Sequence, residues 1–470
     1  LAFLDTEALR SAFRDRSLSP VELASALLDR ISRFEGQVNA FVHLDPATTL
    51  AMAKHSEARW RAGAPLGPLD GVPVTIKDLV AVAGWPLVRG SPALKDDPPA
   101  AADAPAVARL REAGCVFLGK TATPDAGSKI VTRSLVHGVT RNPYDLNRTP
   151  GGSSGGAAVA LALGLGPLAL GTDGAGSIRI PAAWTGTYGL KPSFGRVPIF
   201  PPSLFMPHSV VGPMARSVND AMQMLSVLST PEPRDPYAWP VPFDLARASS
   251  PSVRALRIGV TADFGVTTPP IARSLADAVA QAAEALRVAG AHLVEVAPRW
   301  PCDPYEPFMV FWEANYAGLL ATAYPPEKSA RMEPELRAIA ERGERIDIVT
   351  YHRALSQRQA LAAASQGLFA ELDLLLGPVM PCAPPLIATD APEGFVAGDW
   401  RWCPFTYLWN MTGQPAASVP WGVDELGLPR GVQLVGRTGA EPDVIRASRV
   451  VEAAGAGLIP RPPLLKPYST

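Results

Sequence analysis

Short apolar runs alternate with amphipathic segments along most of this 470-residue chain. "GVPVTIKDLV" (71–80), "CVFLGK" (115–120), "GPLALGTD" (166–173), "ALRIGV" (255–260), "HLVEVA" (292–297), "DLLLGP" (373–378) and "GVQLVG" (431–436) are too short for helices and largely uncharged. Such runs read as strands buried on both faces. Between and around them, residues near 20–34, 46–62, 103–114, 270–289, 333–345, 351–371 and 441–454 carry helical spacing. Helices interleaved with buried strands must cover a sheet on both sides, so the pattern predicts an α/β fold. Local signals agree: Ser19-Pro20-Val21-Glu22 has a cap, a first-turn proline and the acid of a capping box. The stretch 229–252, rich in proline and polar residues, reads either as a domain linker or as a long surface connection within one sheet.

Charge and cysteine usage remove several classes of function. Lys and Arg total 43 against 44 Asp and Glu, for a net charge of −1, and no basic run stands out, so a nucleic-acid partner is not expected. Cys115, Cys302, Cys382 and Cys403 form no Cys-x-x-Cys pair and read as free thiols of a reducing cytoplasm. The six histidines are scattered without ligand spacing, so no metal site is expected. The N-terminus has no basic segment leading into an apolar one, and no apolar run reaches ~18 residues, so neither a signal peptide nor a membrane span is expected.

Three places carry chemistry. Lys77 ends an apolar strand, on the opposite face from Asp78. Either its ammonium snorkels to water, or it is desolvated and serves as a neutral base. "GGSSGG" (151–156) precedes a helix predicted to begin near Ala157. It is either a soft loop or a close backbone approach at a helix N-terminus, where an anion is stabilised. No Gly-Lys-Ser/Thr follows, so it is not a phosphate-binding P-loop. "GTDGAGSIRIP" (171–181) places Ser177 at a tight turn from a strand into a helix. That serine is either structural or a nucleophile beside amides aimed at an oxyanion. No Gly-x-Ser-x-Gly surrounds it, and the nearest downstream histidine, His208, lies in a Pro/Phe-rich loop. Lys77 is therefore the alternative base.

Taken together and in order, "GVPVTIKD", "RTPGGSSGGAA", "LGTDGAGSIRIPAAWTGTYGLKPSFGRVP" and "WNMTGQPAASVP" resemble the amidase signature family, from about residue 20 to 455. The resemblance implies a twisted mixed sheet with helices on both faces, in a single domain over 1–470. That domain would comprise a helical segment 1–64, a signature core 65–220 and a remainder 221–470. It implies a Ser–cis-Ser–Lys triad: Ser177 as nucleophile, Ser153 behind a cis bond from Gly152 as relay, Lys77 as base. Gly174, Ala175, Gly176 and Ser177 would supply the oxyanion hole, with Ser154, Asp173 and Arg179 in support. Ser154 and Asp173 also read as helix caps, and Arg179 as half of a structural ion pair. Ala175 stands where glycine is commoner, which would be unfavourable if φ there were positive.

The implied reaction is hydrolysis of a small-molecule amide through an acyl-enzyme, with no metal or organic cofactor and with a homodimer as an option. The rival within the family is the glutaminase subunit of an amidotransferase complex. Those subunits resemble Ser-x-x-Asp-Gln-x-Gly-Pro where this chain has "FMPHSVVGPMARSV" (205–218), without an acid. Phe200, Phe205, Phe311, Trp312, Tyr316, Trp400, Trp402 and Trp409, with Met206, are the aromatic and apolar candidates for a pocket, and they favour an apolar or aryl group over a charged one.

Overall fold

The computed structural model describes residues 1–468 apart from Met206 and Ala397, with no side-chain description for 466–468. Eleven strands form one sheet. Its order runs Phe41–His43, Val116–Thr121, Pro73–Lys77, Leu168–Asp173, Val210–Ala215, Tyr188–Lys191, Ala416–Val423, Pro429–Gly436, Leu374–Pro378, Arg257–Val260, His292–Glu295. The sheet is mixed. Pro73–Lys77 runs parallel to both neighbours, whereas Val210–Ala215 is antiparallel to Leu168–Asp173. The segment 229–252 connects parts of this one sheet and contains only the short helix Leu245–Ser249.

Alternation along the strands divides the interior into two large apolar layers. Leu374, Leu376, Val432 and Leu434 pack on one face with Val74, Ile76, Leu168 and Leu170. Leu375 and Val435 point the other way, into an aromatic layer with Trp184, Phe308, Trp312 and Trp409. Burying each such side chain stabilises the fold by roughly 1.5–3 kcal/mol. A third cluster holds the helix Pro20–Val38 through Leu23, Leu27, Ile31 and Phe34. The capping box at Ser19 and Glu22 is formed, and the helix ends at Asn39 in the left-handed region with φ 51°.

Element ends differ from the sequence pattern for local reasons. The strand predicted over 71–80 stops at Lys77, because the Val80 amide turns back onto the Lys77 carbonyl at 3.0 Å. The helix predicted from Ala157 begins at Gly155. The helix Tyr305–Thr322 and the strands Tyr188–Lys191, Val210–Ala215 and Ala416–Val423 carry no alternation that marks them in advance. Among the described residues, no helix is long and apolar enough to cross a membrane.

Candidate active site

Strand register brings the lysine and the glycine-rich turn together. Ile76 pairs with Leu170, so Lys77 lies beside Gly171 and Thr172 at the carboxyl ends of two parallel strands. Such strand ends are where open α/β sheets bind ligands. Lys77 is fully buried. Its Nζ lies 2.7 Å from Ser153 Oγ, 2.8 Å from Ser154 Oγ and 2.9 Å from Thr172 Oγ1. The carbonyl of Thr172 lies at 3.4 Å. Lys77 makes no ion pair among the described residues. Burial drives its pKa well below the ordinary lysine value, and the charge on Asp173 only partly opposes this. Asp78 is occupied elsewhere, bonded to Lys120 at 2.8 Å on the neighbouring strand.

The GGSSGG segment is buried throughout. The Gly152–Ser153 peptide bond is cis. Glycine at 152 is required by close approach: a Cβ there would stand 2.8 Å from the Val131 carbonyl oxygen. Ser154 precedes the helix Gly155–Ala162 but its side chain does not cap it. Its hydroxyl instead accepts from Lys77 and donates to the Thr172 carbonyl at 3.2 Å. The Ser154 amide donates to the Ser177 carbonyl at 3.1 Å, which pins the two serine loops together.

Asp173 and Arg179 are both fully buried and form the frame of the second loop. Asp173 Oδ1 accepts from the Gly176 amide at 2.7 Å and Oδ2 from the Ile178 amide at 3.1 Å. Arg179 donates to the same carboxylate through Nε at 3.0 Å and Nη2 at 2.9 Å. Burial pushes the Asp173 carboxyl up, but the adjacent Arg179 guanidinium more than offsets this and holds it below the usual carboxylate range. The ion-pair reading of Arg179 is realised, whereas Asp173 anchors the turn ahead of the helix Arg179–Thr185, whose N-cap is Ile178 without a side-chain cap. Arg179 reaches on to Asn410 Oδ1 at 2.6 Å, Gln433 Oε1 at 2.8 Å and the Thr406 carbonyl at 3.0 Å. Asn410 also donates to the backbone carbonyls of Asp173 and His208, each at 2.9 Å.

Ser153 and Ser177 line one cavity of about 590 Å³, together with Gly127, Thr172 and Gly174. Of the four expected oxyanion donors, Gly174 and Ser177 lie on this wall. The Gly176 amide is engaged by Asp173, so it is not free to serve an oxyanion. Its φ of 123° and a clash of any Cβ with Thr406 Oγ1 at 2.5 Å explain the glycine instead. Ala175 keeps a negative φ and is fully buried, so its methyl causes no strain. His208 is buried against Phe311 and is not part of the cavity wall.

The aromatic candidates divide. Phe200, Phe205, Trp312 and Tyr316 line the cavity. Phe311, Trp400, Trp402 and Trp409 do not; they are buried in the aromatic layer behind it, with Trp402 stacked on Trp184 at 6.1 Å. Met206 lies outside the described residues. Thr172, Thr406, Asn410 and Gln433 are site residues that no spacing rule selects. Thr172 and Asn410 lie within motif blocks, "LGTDGAGSIRIPAAW" and "WNMTGQPAASVP", but neither is marked there by its chemistry.

A mixed sheet with helices on both faces and a buried lysine bonded to paired hydroxyls defines a class of hydrolase. The chain belongs to the amidase family, whose model matches residues 22–445. It acts on amide C–N bonds. The putative amidase AmiB2 of Mycobacterium tuberculosis is 36% identical over 466 residues, covering 97% of this chain and 96% of the relative. The acylamidase of Rhodococcus erythropolis is 33% identical, with 96% of each chain covered. The A-type subunit of the glutamyl-tRNA(Gln) amidotransferase of Rhodopirellula baltica is 34% identical, with 95% of each covered. Among solved structures, a bacterial aryl acylamidase of the amidase signature family superposes with a TM-score of 0.89 at 33% identity, over 96% of both chains.

Proposed function

We propose that this chain hydrolyses small-molecule amides through an acyl-enzyme on Ser177, with Ser153 as proton relay and Lys77 as base. The observation that carries this is the buried Lys77 Nζ at 2.7 Å from Ser153 Oγ, on a cavity wall that Ser153 shares with Ser177. A neutral amine has two N–H groups and one lone pair. Ser154 Oγ and Thr172 Oγ1 take the two donors, which leaves the lone pair for the Ser153 hydroxyl. Burial lowers the Lys77 pKa and so favours that neutral form.

In the proposed sequence, Ser177 Oγ attacks the amide carbonyl carbon. Its proton passes to Ser153 Oγ as the proton of Ser153 passes to Lys77 Nζ. The resulting ammonium returns a proton through Ser153 to the amide nitrogen, the C–N bond breaks, and ammonia or an amine leaves. Water then attacks the ester by the same relay, releasing the acid and restoring the Ser177 hydroxyl. The backbone amides of Gly174, Ala175 and Ser177 are the candidate donors to the tetrahedral oxyanion. A donor of this kind is worth roughly 2.7–4 kcal/mol in the transition state. Gly152, Ser154, Asp173 and Arg179 hold these groups in place and do not react.

The chain would work as one catalytic unit over 1–470, since the eleven strands share one sheet. Four free cysteines suit a reducing cytoplasm, and a homodimer rests on the family resemblance alone. Phe205, Trp312 and Tyr316 in the cavity wall support an apolar or aryl group in the substrate. The glutaminase reading is less well supported. Ser209, which stands at the acidic position of that motif counted back from Gly212-Pro213, lines the cavity and offers no carboxylate to glutamine. Ser177→Ala tests the reading: it should abolish release of amine from an anilide panel by the purified chain. Retained hydrolysis would refute it, and hydrolysis of glutamine that needs a second protein would favour the glutaminase reading.

A further inference from the structure

Arg89 is half-buried in the active-site cavity, in a wall otherwise made mainly of apolar side chains such as Leu79, Leu87, Leu94 and Leu319. Other charge in this wall is cancelled. Asp97 is its one carboxylate among the described residues, and Lys328 Nζ bonds both of its oxygens, at 2.5 and 2.6 Å. Arg89 has no ion pair among the described residues. Its Nη1 donates to the Tyr324 hydroxyl at 2.9 Å, which engages one of the several N–H donors of the guanidinium.

The backbone of Arg89 is held close to the reacting groups. Its φ is 54°, a region where residues with a Cβ are uncommon. Its carbonyl accepts the Ala126 amide at 2.9 Å. The residue after Ala126, Gly127, is so near the relay that a Cβ on it would lie 3.3 Å from Ser153 Oγ. A guanidinium with unused donors in a largely apolar wall is a fork that fits a carboxylate.

We propose that Arg89 is a specificity-determining residue that binds a carboxylate on the substrate away from the scissile amide. The preferred substrates are then amides with an apolar body and one anionic end. This rests on the amidase reading of the same cavity and names the substrate class for it.

The test compares glutaric acid monoanilide, which carries a carboxylate on the acyl side, and 4-(hexanoylamino)benzoate, which carries it on the amine side, with neutral hexananilide. Wild type, Arg89→Met and Arg89→Lys are assayed for kcat and KM, and equilibrium binding is measured on Ser177→Ala with and without Arg89→Met. Melting temperatures check that the variants fold. Wild type should favour one of the two carboxylates over hexananilide by about tenfold or more, as a hydrogen-bonded charge warrants. Arg89→Met should erase that ratio through KM, Arg89→Lys should restore part of it, and the binding constants should follow the same order. No carboxylate preference in wild type, or a preference that survives Arg89→Met, overturns the proposal. Hydrolysis retained by Ser177→Ala would sink the catalytic reading instead, and the binding order would still decide the role of Arg89.

Discussion

Replacing Asp173 with asparagine changes one charge and almost no volume, at a position with no exposure to solvent. Its two oxygens now accept from the amides of Gly176 and Ile178, from Arg179 Nε and Nη2, and from Asn410 Nδ2 at 3.0 Å. In Asp173→Asn one of those oxygens becomes an NH2 that meets donors. Arg179 is left buried with only neutral acceptors, the Thr406 carbonyl, Gln433 and Asn410. Removing one partner of a buried pair costs about 3–5 kcal/mol. That is about a fifth or more of the ~5–15 kcal/mol by which folded domains are stable. Urea denaturation followed by tryptophan fluorescence should show this loss. Adding Arg179→Met should cost less than the sum of the two single changes, because it removes the stranded charge. The turn 174–178 also loses one of its two anchors, the Gly176 or the Ile178 amide, so kcat should fall by on the order of 10²-fold, as for a misplaced reacting group. The folded pKa of Asp173 lies below its unfolded value. Its contribution is therefore fully present above the ordinary Asp pKa of ~3.9 and disappears only as pH falls through the lower, folded value. A loss under ~1 kcal/mol, or strict additivity with Arg179→Met, would refute the account of this network.

The pH–rate profile tests Lys77. The base works when neutral, so kcat/KM should fall as pH drops through its folded pKa and should level off well below the ordinary lysine value of 10.5; a rate still climbing at that pH contradicts the assignment. The unfolded chain holds this proton more tightly than the folded one. The stability of wild type relative to Lys77→Met should therefore decline as pH falls from 10.5 toward the folded value, which thermal melts across pH would show. Gly152→Ala pushes a methyl against the Val131 carbonyl and should cost about 1–3 kcal/mol in a urea titration, with loss of activity as Ser153 shifts. Phe205 meets Tyr316 edge-on at 4.6 Å and Trp312 at 5.7 Å, so Phe205→Ala should raise KM for aryl amides by about three- to tenfold, given ~0.5–1.5 kcal/mol per aromatic contact.

The parts of the fold legible in the sequence are those that local physics determines. Leu374–Pro378 and Pro429–Gly436 read as strands because apolar side chains fill both of their faces. Pro20–Val38 reads as a helix because its cap and its apolar stripe coincide. Val210–Ala215 was not legible, because "VVGPMA" contains a glycine and a proline and takes its place only by pairing with Leu168–Asp173 and Tyr188–Lys191. The same division holds at the site. Lys77, Ser153 and Ser177 stand out because a lysine on an apolar strand and serines in glycine-rich turns are locally odd. Asn410 and Gln433 do not, since their reason for being there is Arg179, more than two hundred residues away in the chain. Arg89 looks like an ordinary loop arginine until the cavity is seen around it.

Covalent trapping at Ser177 tests the central claim most directly. The purified chain is incubated with a fluorophosphonate or with a slowly deacylating aryl ester, and the adduct is read by intact mass and peptide mapping. The account predicts one adduct per chain on the peptide containing Ser177, absent in Ser177→Ala and formed much more slowly in Lys77→Ala and Ser153→Ala. An adduct on another residue, or full amidase activity with no adduct at all, would contradict it.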